Sequence, residues 1–314
     1  MIDLIHKVYM KRCAEAPAMS ALLVLLLVIL AAAAALLALA YVVSGKLLRP
    51  PRRRDEWTPR DLGYEYEEVV VETHDGCKLR GWSIPRGTDR TVVVIHGYTS
   101  SRWGDYVRRA AEMLARRGFN VALFDMRAHG ESEGKFTTLG YLEAGDVRRI
   151  LDWLEKRGAG AKLGLIGFSM GGAITIMVAA LDSRVKAAVA DSPYIDVVSS
   201  GRNWVRQARA PLRHLLLAAY PLVVRLAARR AGVRLEDLVM YKYAERIKQP
   251  FLVVAAEKDA LVPLEEVKRF YSILSRASPG AELWVVPVGH VRAVLEVPEE
   301  YERKVAGFFE RWLA

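Results

Sequence analysis

Short apolar runs alternate along this chain with longer stretches whose apolar residues recur every three or four positions. Thr91–Ile95, Val121–Leu123, Leu163–Ile166, Val185–Ala190, Phe251–Ala256 and Ala281–Pro287 read as buried strands, and Tyr106–Arg117, Gly140–Arg157 and Leu264–Ser275 as amphipathic helices. That alternation predicts βαβ units, hence an α/β fold with a mostly parallel central sheet flanked by helices. An antiparallel start precedes it, because Glu67–Glu72 and Lys78–Pro85 flank His74-Asp75-Gly76, and Asp-Gly signals a hairpin.

The N-terminal part follows a different pattern. Ala21–Val43 is 23 residues without a charge, about 34 Å as a helix, enough to span a bilayer. A buried core helix fits poorly beside a domain whose strands and helices are complete without it. A cleaved signal peptide competes, since Ala38-Leu39-Ala40 has the small-x-small form and Lys7, Lys11 and Arg12 precede the run. The apolar core is longer than a signal peptide's, which favours an uncleaved single-pass anchor. Lys46, Arg49, Arg52, Arg53 and Arg54 follow it, five cations against three before it. The positive-inside rule then places the downstream domain on the cytoplasmic side, with the extracellular side as the alternative. Expected boundaries are 1–48 for the anchor segment, 49–60 for a stiff, solvated, basic linker able to touch anionic headgroups, and 61–314 for the main domain.

Between Tyr194 and Gln249 the strand-helix alternation lapses. An apolar stretch containing Leu215–Leu217 and Leu222–Val224 is broken there by Pro221 and interleaved with arginines such as Arg206, Arg209, Arg213 and Arg225. One reading is a helical insertion packed on the core with its arginines in solvent. The other is a basic amphipathic surface lying on a membrane and guiding lipid-like acyl substrates.

Candidate chemistry starts at Gly167-Phe168-Ser169-Met170-Gly171, directly after a strand and before the apolar helical stretch Met170–Ala179. A serine on so sharp a turn has strained dihedrals, and the glycines two before and two after leave the chain room to turn. The helix that follows aims its amide groups at a developing oxyanion. A serine nucleophile needs a histidine to take its proton and a carboxylate to orient that histidine. Asp259 lies just past the Phe251–Ala256 strand and His290 just past the Ala281–Pro287 strand. Glu257 and Asp191 are rival acids at strand ends. His6, His74 and His214 lack a strand-end context, and His96 and His129 read as histidines packed under the site.

From Tyr64 to Ala314 the chain resembles the α/β-hydrolase superfamily, particularly its esterase-like and serine-aminopeptidase-like branch. The residues that carry the resemblance are His96-Gly97-Tyr98 after a strand, Asp125-Met126-Arg127-Ala128-His129-Gly130 after the next, Gly167–Gly172, Asp259 and Gly289-His290, in the family's order Ser, Asp, His. The resemblance implies Ser169 as nucleophile, His290 as general base then acid, Asp259 as orienting carboxylate, and an oxyanion hole from the backbone N–H of Met170 and Tyr98. The Tyr98 ring is the one that could instead line the acyl pocket. It also implies a cap insertion at about 194–249. The expected activity is cleavage of carboxylic esters through an acyl-enzyme; a peptidase or thioesterase would use the same machinery, and a silent hydrolase fold serving as a tethered binding module is the non-enzymatic alternative.

Composition narrows this further. A net charge of +10 comes with no nucleic-acid motif and fits a solvated basic surface. Metal-ligand spacing of Cys and His and a phosphate-binding glycine loop are both missing, so no metal or cofactor is expected. Cys13 and Cys77 flank the anchor and would lie on opposite membrane faces, unable to bridge. Only four residues are Asn or Gln while arginine abounds, a composition pointing to a thermophilic source.

Overall fold

The structure, a computed structural model, describes residues 1–159 and 161–314, and within the first helix the side chains of residues 2, 4, 5 and 7–20 lie outside the description. Lys7, Lys11, Arg12 and Cys13 fall among these, so the charge balance and the cysteine pairing argued from them lie outside the described residues. Cys77 is free and buried.

In chain order the elements are α1 (Ile2–Leu47), β1 (Glu67–Glu72), β2 (Lys78–Ile84), β3 (Arg90–Ile95), α2 (Asp105–Arg116), β4 (Asn120–Phe124), α3 (Tyr141–Lys156), β5 (Lys162–Phe168), α4 (Met170–Leu181), β6 (Val185–Asp191), α5 (Val197–Arg206), α6 (Leu212–Ala231), α7 (Tyr241–Ala244), β7 (Phe251–Ala256), α8 (Leu264–Ala277), β8 (Ala281–Val286), α9 (Ala293–Glu296) and α10 (Pro298–Trp312). Eight strands form one sheet in the order β1-β2-β4-β3-β5-β6-β7-β8. β1 and β2 form the antiparallel start and β2 meets β4 antiparallel, while every pair from β4 to β8 is parallel. The β1–β2 turn closes with the Thr73 N–H donating to the Cys77 carbonyl, and Gly76 takes the left-handed conformation there.

Strands β3, β5 and β7 are buried almost throughout because helices cover both faces. Ile150, Ile174 and Phe270 of α3, α4 and α8 pack on one face. Val107, Leu114, Phe308 and Phe309 of α2 and α10 pack on the other. All the parallel strands point their C-terminal ends the same way, so the loops after β3, β5, β7 and β8 gather at one edge of the sheet.

Three features differ from the sequence reading. The first helix runs past Val43 to Leu47, and its last turns pack against α6: Leu36, Leu39, Ala40 and Val43 meet Ala219, Leu222, Val223 and Leu226. Pro221 does not break the second apolar stretch; α6 continues through it. The lost backbone bond and the ring's clash with the preceding turn weigh against it, and burial of Ala219, Tyr220, Val223 and Val224 on both sides of the proline outweighs them. Nor is the 49–60 segment simply solvated. Arg52 donates to the carbonyls of Gly130, Ser132 and Gly134, and Trp57 is buried with its indole N–H on the Trp103 carbonyl at 2.9 Å.

Beneath the edge where these loops gather, Asp191 at the end of β6 is fully buried. Its carboxylate accepts from Ser192 Oγ at 2.9 Å and from the Tyr301 hydroxyl of α10 at 2.9 Å. Burial pushes the Asp191 carboxyl up from 3.8 to about 6 against the opposing pull of those two donors. The folded state therefore keeps a proton that the unfolded chain has released. This group favours folding most at or below about pH 4, and its contribution is lost as pH rises through about 6. Asp191→Asn removes that slope. Between about pH 4 and about pH 7 the stability of the variant relative to the parent protein should rise by roughly 3 kcal/mol, as read by thermal melts; a difference constant over that window contradicts the assignment.

Candidate active site

Ser169 stands between β5 and α4 with φ 54° and ψ −112°. A non-glycine residue there is strained by about 1–3 kcal/mol, and the surroundings hold it in place. Its N–H donates to the Asp191 carbonyl at 2.9 Å, and its own carbonyl accepts from Ala173 at 3.0 Å to open the helix. A side chain on Gly167 would collide with the Gly171 backbone, and one on Gly171 with the carbonyls of Ile95 and His96. The two glycines are thus required by close approach of backbone to backbone. The α4 helix can then begin immediately under the serine.

His290 follows β8 and Asp259 follows β7, adjacent strands in the sheet. The imidazole lies between the serine and the aspartate, with Nε2 2.8 Å from Ser169 Oγ and Nδ1 2.6 Å from Asp259 Oδ2. Asp259 is held by its other oxygen, which accepts from the N–H groups of Leu261 and Val262 at 2.8 and 3.0 Å. A carboxylate so occupied accepts at Oδ2, so the imidazole proton sits on Nδ1 and Nε2 is free to accept from the serine hydroxyl. The Asp259 side chain is 2% exposed and that of His290 20%. The loop carrying the histidine is fixed by the Val291 N–H donating to Ser192 Oγ at 3.1 Å.

Of the rival acids, Glu257 is exposed and Asp191 is taken up by Ser192 and Tyr301. Neither contacts His290 Nδ1. His96 and His129 are both fully buried and meet edge to face with ring centroids 4.9 Å apart. His96 Nε2 accepts from the Met126 N–H at 2.9 Å, so its Nδ1 donates to the Gly97 carbonyl at 2.8 Å. Burial, reinforced by the neighbouring His129, pushes the His96 imidazole down to about 3. It is neutral at any working pH and supports the loop above it.

That loop carries Tyr98 to the cavity that also contains Ser169, Met170 and His290. It lies close to Ser169: a side chain on Gly97 would stand 3.3 Å from Ser169 Cβ. Met170 is the first residue of α4, and its N–H is one of the four a helix leaves without an intrahelical acceptor. The Tyr98 ring does line the cavity, and its hydroxyl donates to the Leu47 carbonyl at 2.9 Å.

The cavity measures about 1200 Å³, enough for a long acyl chain. Its walls are largely apolar: Val43 and Leu47 of α1, Trp204 and Val205 of α5, and Leu216, Tyr220, Val223 and Val224 of α6. Lys46, Arg53 and Arg292 also line it. The end of α1 is a working part of this wall. Leu48 accepts from the Thr137 N–H at 2.9 Å, and Arg230 of α6 donates to the Tyr41 carbonyl at 2.8 Å and to Ser44 Oγ at 3.1 Å. Sequence reading missed this contribution, because nothing in an apolar helix marks which of its turns face a distant loop. Among the described residues no cluster of His, Cys, Asp and Glu is suited to hold a metal ion.

A sequence model described as alpha/beta hydrolase fold matches residues 90–216. Among solved structures, the chain is similar to the esterase Pf2001 of Pyrococcus furiosus, at 36% identity and a TM-score of 0.76, covering 86% of this chain and 99% of that one. Among curated proteins it is 31% identical over 230 residues to an uncharacterized protein of Mycobacterium tuberculosis, covering 71% of this chain and 72% of the relative. It is also 23% identical over 259 residues to the lysophosphatidylserine lipase ABHD12 of Gallus gallus, covering 74% of this chain and 66% of the relative. With this sheet order, this serine turn and these relatives, the chain belongs to the α/β-hydrolase family.

Proposed function

We propose that the protein is a membrane-anchored serine hydrolase that cleaves carboxylic esters through an acyl-enzyme. The observation that carries this reading is His290 bridging Ser169 and an anchored, buried Asp259 at the wall of a large apolar cavity. As Ser169 Oγ bonds to the acyl carbon, its proton passes to His290 Nε2, and the imidazolium gains from Asp259. The N–H groups of Met170 and Tyr98 receive the negative charge on the carbonyl oxygen; each such donor contributes about 3 kcal/mol to lowering the barrier. His290 then gives its proton to the leaving alkoxide oxygen as the carbon–oxygen bond breaks. A water molecule, deprotonated by His290, attacks the acyl-enzyme and releases the acid, and the proton returns to Ser169 Oγ.

The lining of the cavity favours a lipid-like acyl group over a short polar one. The similarity to an esterase and to a lysophosphatidylserine lipase supports ester over peptide chemistry. Ala21–Leu47 is long and apolar enough to cross a membrane by length and composition. Retention of that helix is supported by the burial of Ala40 against Ala219 and Val223, since cleavage after Ala40 would strip a packed surface from α6. The five cations that follow it favour a cytoplasmic hydrolase domain. Scarcity of Asn and Gln together with the Pyrococcus neighbour supports a heat-adapted source.

Three outcomes are expected. A fluorophosphonate probe should label the purified protein and not Ser169→Ala, and Asp259→Asn should lower kcat on a p-nitrophenyl ester by about 10⁴-fold while Asp191→Asn leaves it within a few-fold. Equal losses in the two aspartate variants would contradict the assignment of the acid. In intact cells, a C-terminal tag should resist external protease and be digested once the cells are opened; digestion from outside refutes the cytoplasmic placement.

A further inference from the structure

The chemistry above does not use the charge pattern of the α5–α6 region. Between Asp196 and Glu236 the sequence holds eight arginines and no acidic residue. Arg230 is engaged by Tyr41 and Ser44, and Arg234 by Asp237. Arg206 reaches only the Asn203 side chain, at 3.0 Å, and Arg209 and Arg213 make no ion pair among the described residues. Large apolar side chains stand in the open next to them: Trp204 is 65% exposed, Leu212 54% and Leu215 50%. Exposed aromatic and aliphatic groups interspersed with unneutralised arginines match the boundary between phospholipid headgroups and acyl chains.

The position of this region relative to α1 gives the pattern its meaning. The two helices run parallel: Arg230, near the end of α6, meets Tyr41 and Ser44, while Ala219, earlier in α6, packs at the level of Leu36–Val43. Leu36 is about 10 Å along the axis from Val43, the last residue of the charge-free run. The middle of α6 therefore sits at the shallow depth where amphipathic elements bury an apolar face in a leaflet. Ala21–Ala35 is exposed throughout, so α6 parts from α1 beyond Leu36 and its first turns are left without cover from the anchor.

We propose that the α5–α6 turn docks into the phospholipid leaflet from which α1 emerges, with Trp204, Leu212 and Leu215 at the headgroup–acyl boundary and Arg206, Arg209 and Arg213 on anionic lipid phosphates. This rests on the reading of α1 as a membrane anchor. Its consequence is a route for substrate. Trp204 and Leu216 line the cavity from the same elements, and Val43 and Leu47 line it from α1, so an acyl chain passes from the leaflet to Ser169 between α1 and the cap without crossing water.

The test uses the full chain reconstituted in phosphatidylcholine vesicles containing phosphatidylglycerol and nitroxide-bearing lipids. Nitrobenzoxadiazole is attached to Trp204→Cys or Leu212→Cys in a Cys13→Ser, Cys77→Ser background, with the circular dichroism and thermal melt of the parent protein as the check on folding. Val28→Cys reports on the anchor, and Lys156→Cys, beside the turn before β5 at the end of the sheet opposite Ser169, reports on the aqueous side. The expected result is blue-shifted emission and loss of most fluorescence to shallow nitroxides at positions 204, 212 and 28, and neither at 156. Replacing Arg206, Arg209 and Arg213 together by Glu should restore the fluorescence at 212 and leave that at 28 quenched. Aqueous emission at 204 and 212 with quenching at 28 overturns the docking and leaves the anchor standing. Blue-shifted emission at 212 that nitroxide lipids do not quench means a protein partner, such as a second copy, covers the face, and also overturns it. Aqueous emission at 28 overturns the anchor and this inference together.

Discussion

The site depends on one strained residue. Ser169 holds φ 54° only because Gly167 and Gly171 let backbone segments close on each other and because the Asp191 carbonyl grips its N–H. The same strain raises Oγ above the end of the sheet and starts α4 directly beneath it, so that one local conformation sets both the proposed nucleophile and the amide group facing it. Asp259 and His290 need only lie past the ends of β7 and β8, on the same side of β5, for the three side chains to converge. Buried polar groups below, Asp191 with Tyr301 and His96 with His129, brace the loops that carry them.

A second dependence links the site to α1. The helix read as an anchor also closes one side of the cavity and accepts a hydrogen bond from Tyr98, whose amide stands in the oxyanion role proposed here. α1 and the α/β domain are joined by packing of Ala40 and Val43 on α6 and by the Arg230 contacts, not by a flexible tether. The Arg52 and Trp57 contacts continue that attachment past the helix. On the reading proposed here, substrate access and membrane geometry are parts of one arrangement.

Much of this was legible in the sequence because its signals are local. The strands are short apolar runs, and Gly167 and Gly171 announce a tight turn at fixed offsets from Ser169. The end of each strand locates Asp259 and His290, though choosing between Asp259, Glu257 and Asp191 took family resemblance, since periodicity treats all strand ends alike. What stayed hidden is long-range. Tyr301 lies 110 positions from Asp191, and no pattern near either one foretells the bond. Leu47 and Tyr98 likewise meet across half the N-terminal region. Pro221 misled because helix propensity is a weak prior, overridden when both flanks of the proline are buried.

The central claim is that acyl transfer runs through Ser169. Acid quenching of the protein during turnover of a long-chain p-nitrophenyl ester, followed by intact-mass and peptide mass spectrometry, tests it most directly. The account predicts a population heavier by one acyl group, with the added mass on the peptide that contains Ser169 and absent from His290→Ala. Steady turnover with no acylated species in a rapid-quench series, or an acyl group on any other residue that turns over at the catalytic rate, would contradict it.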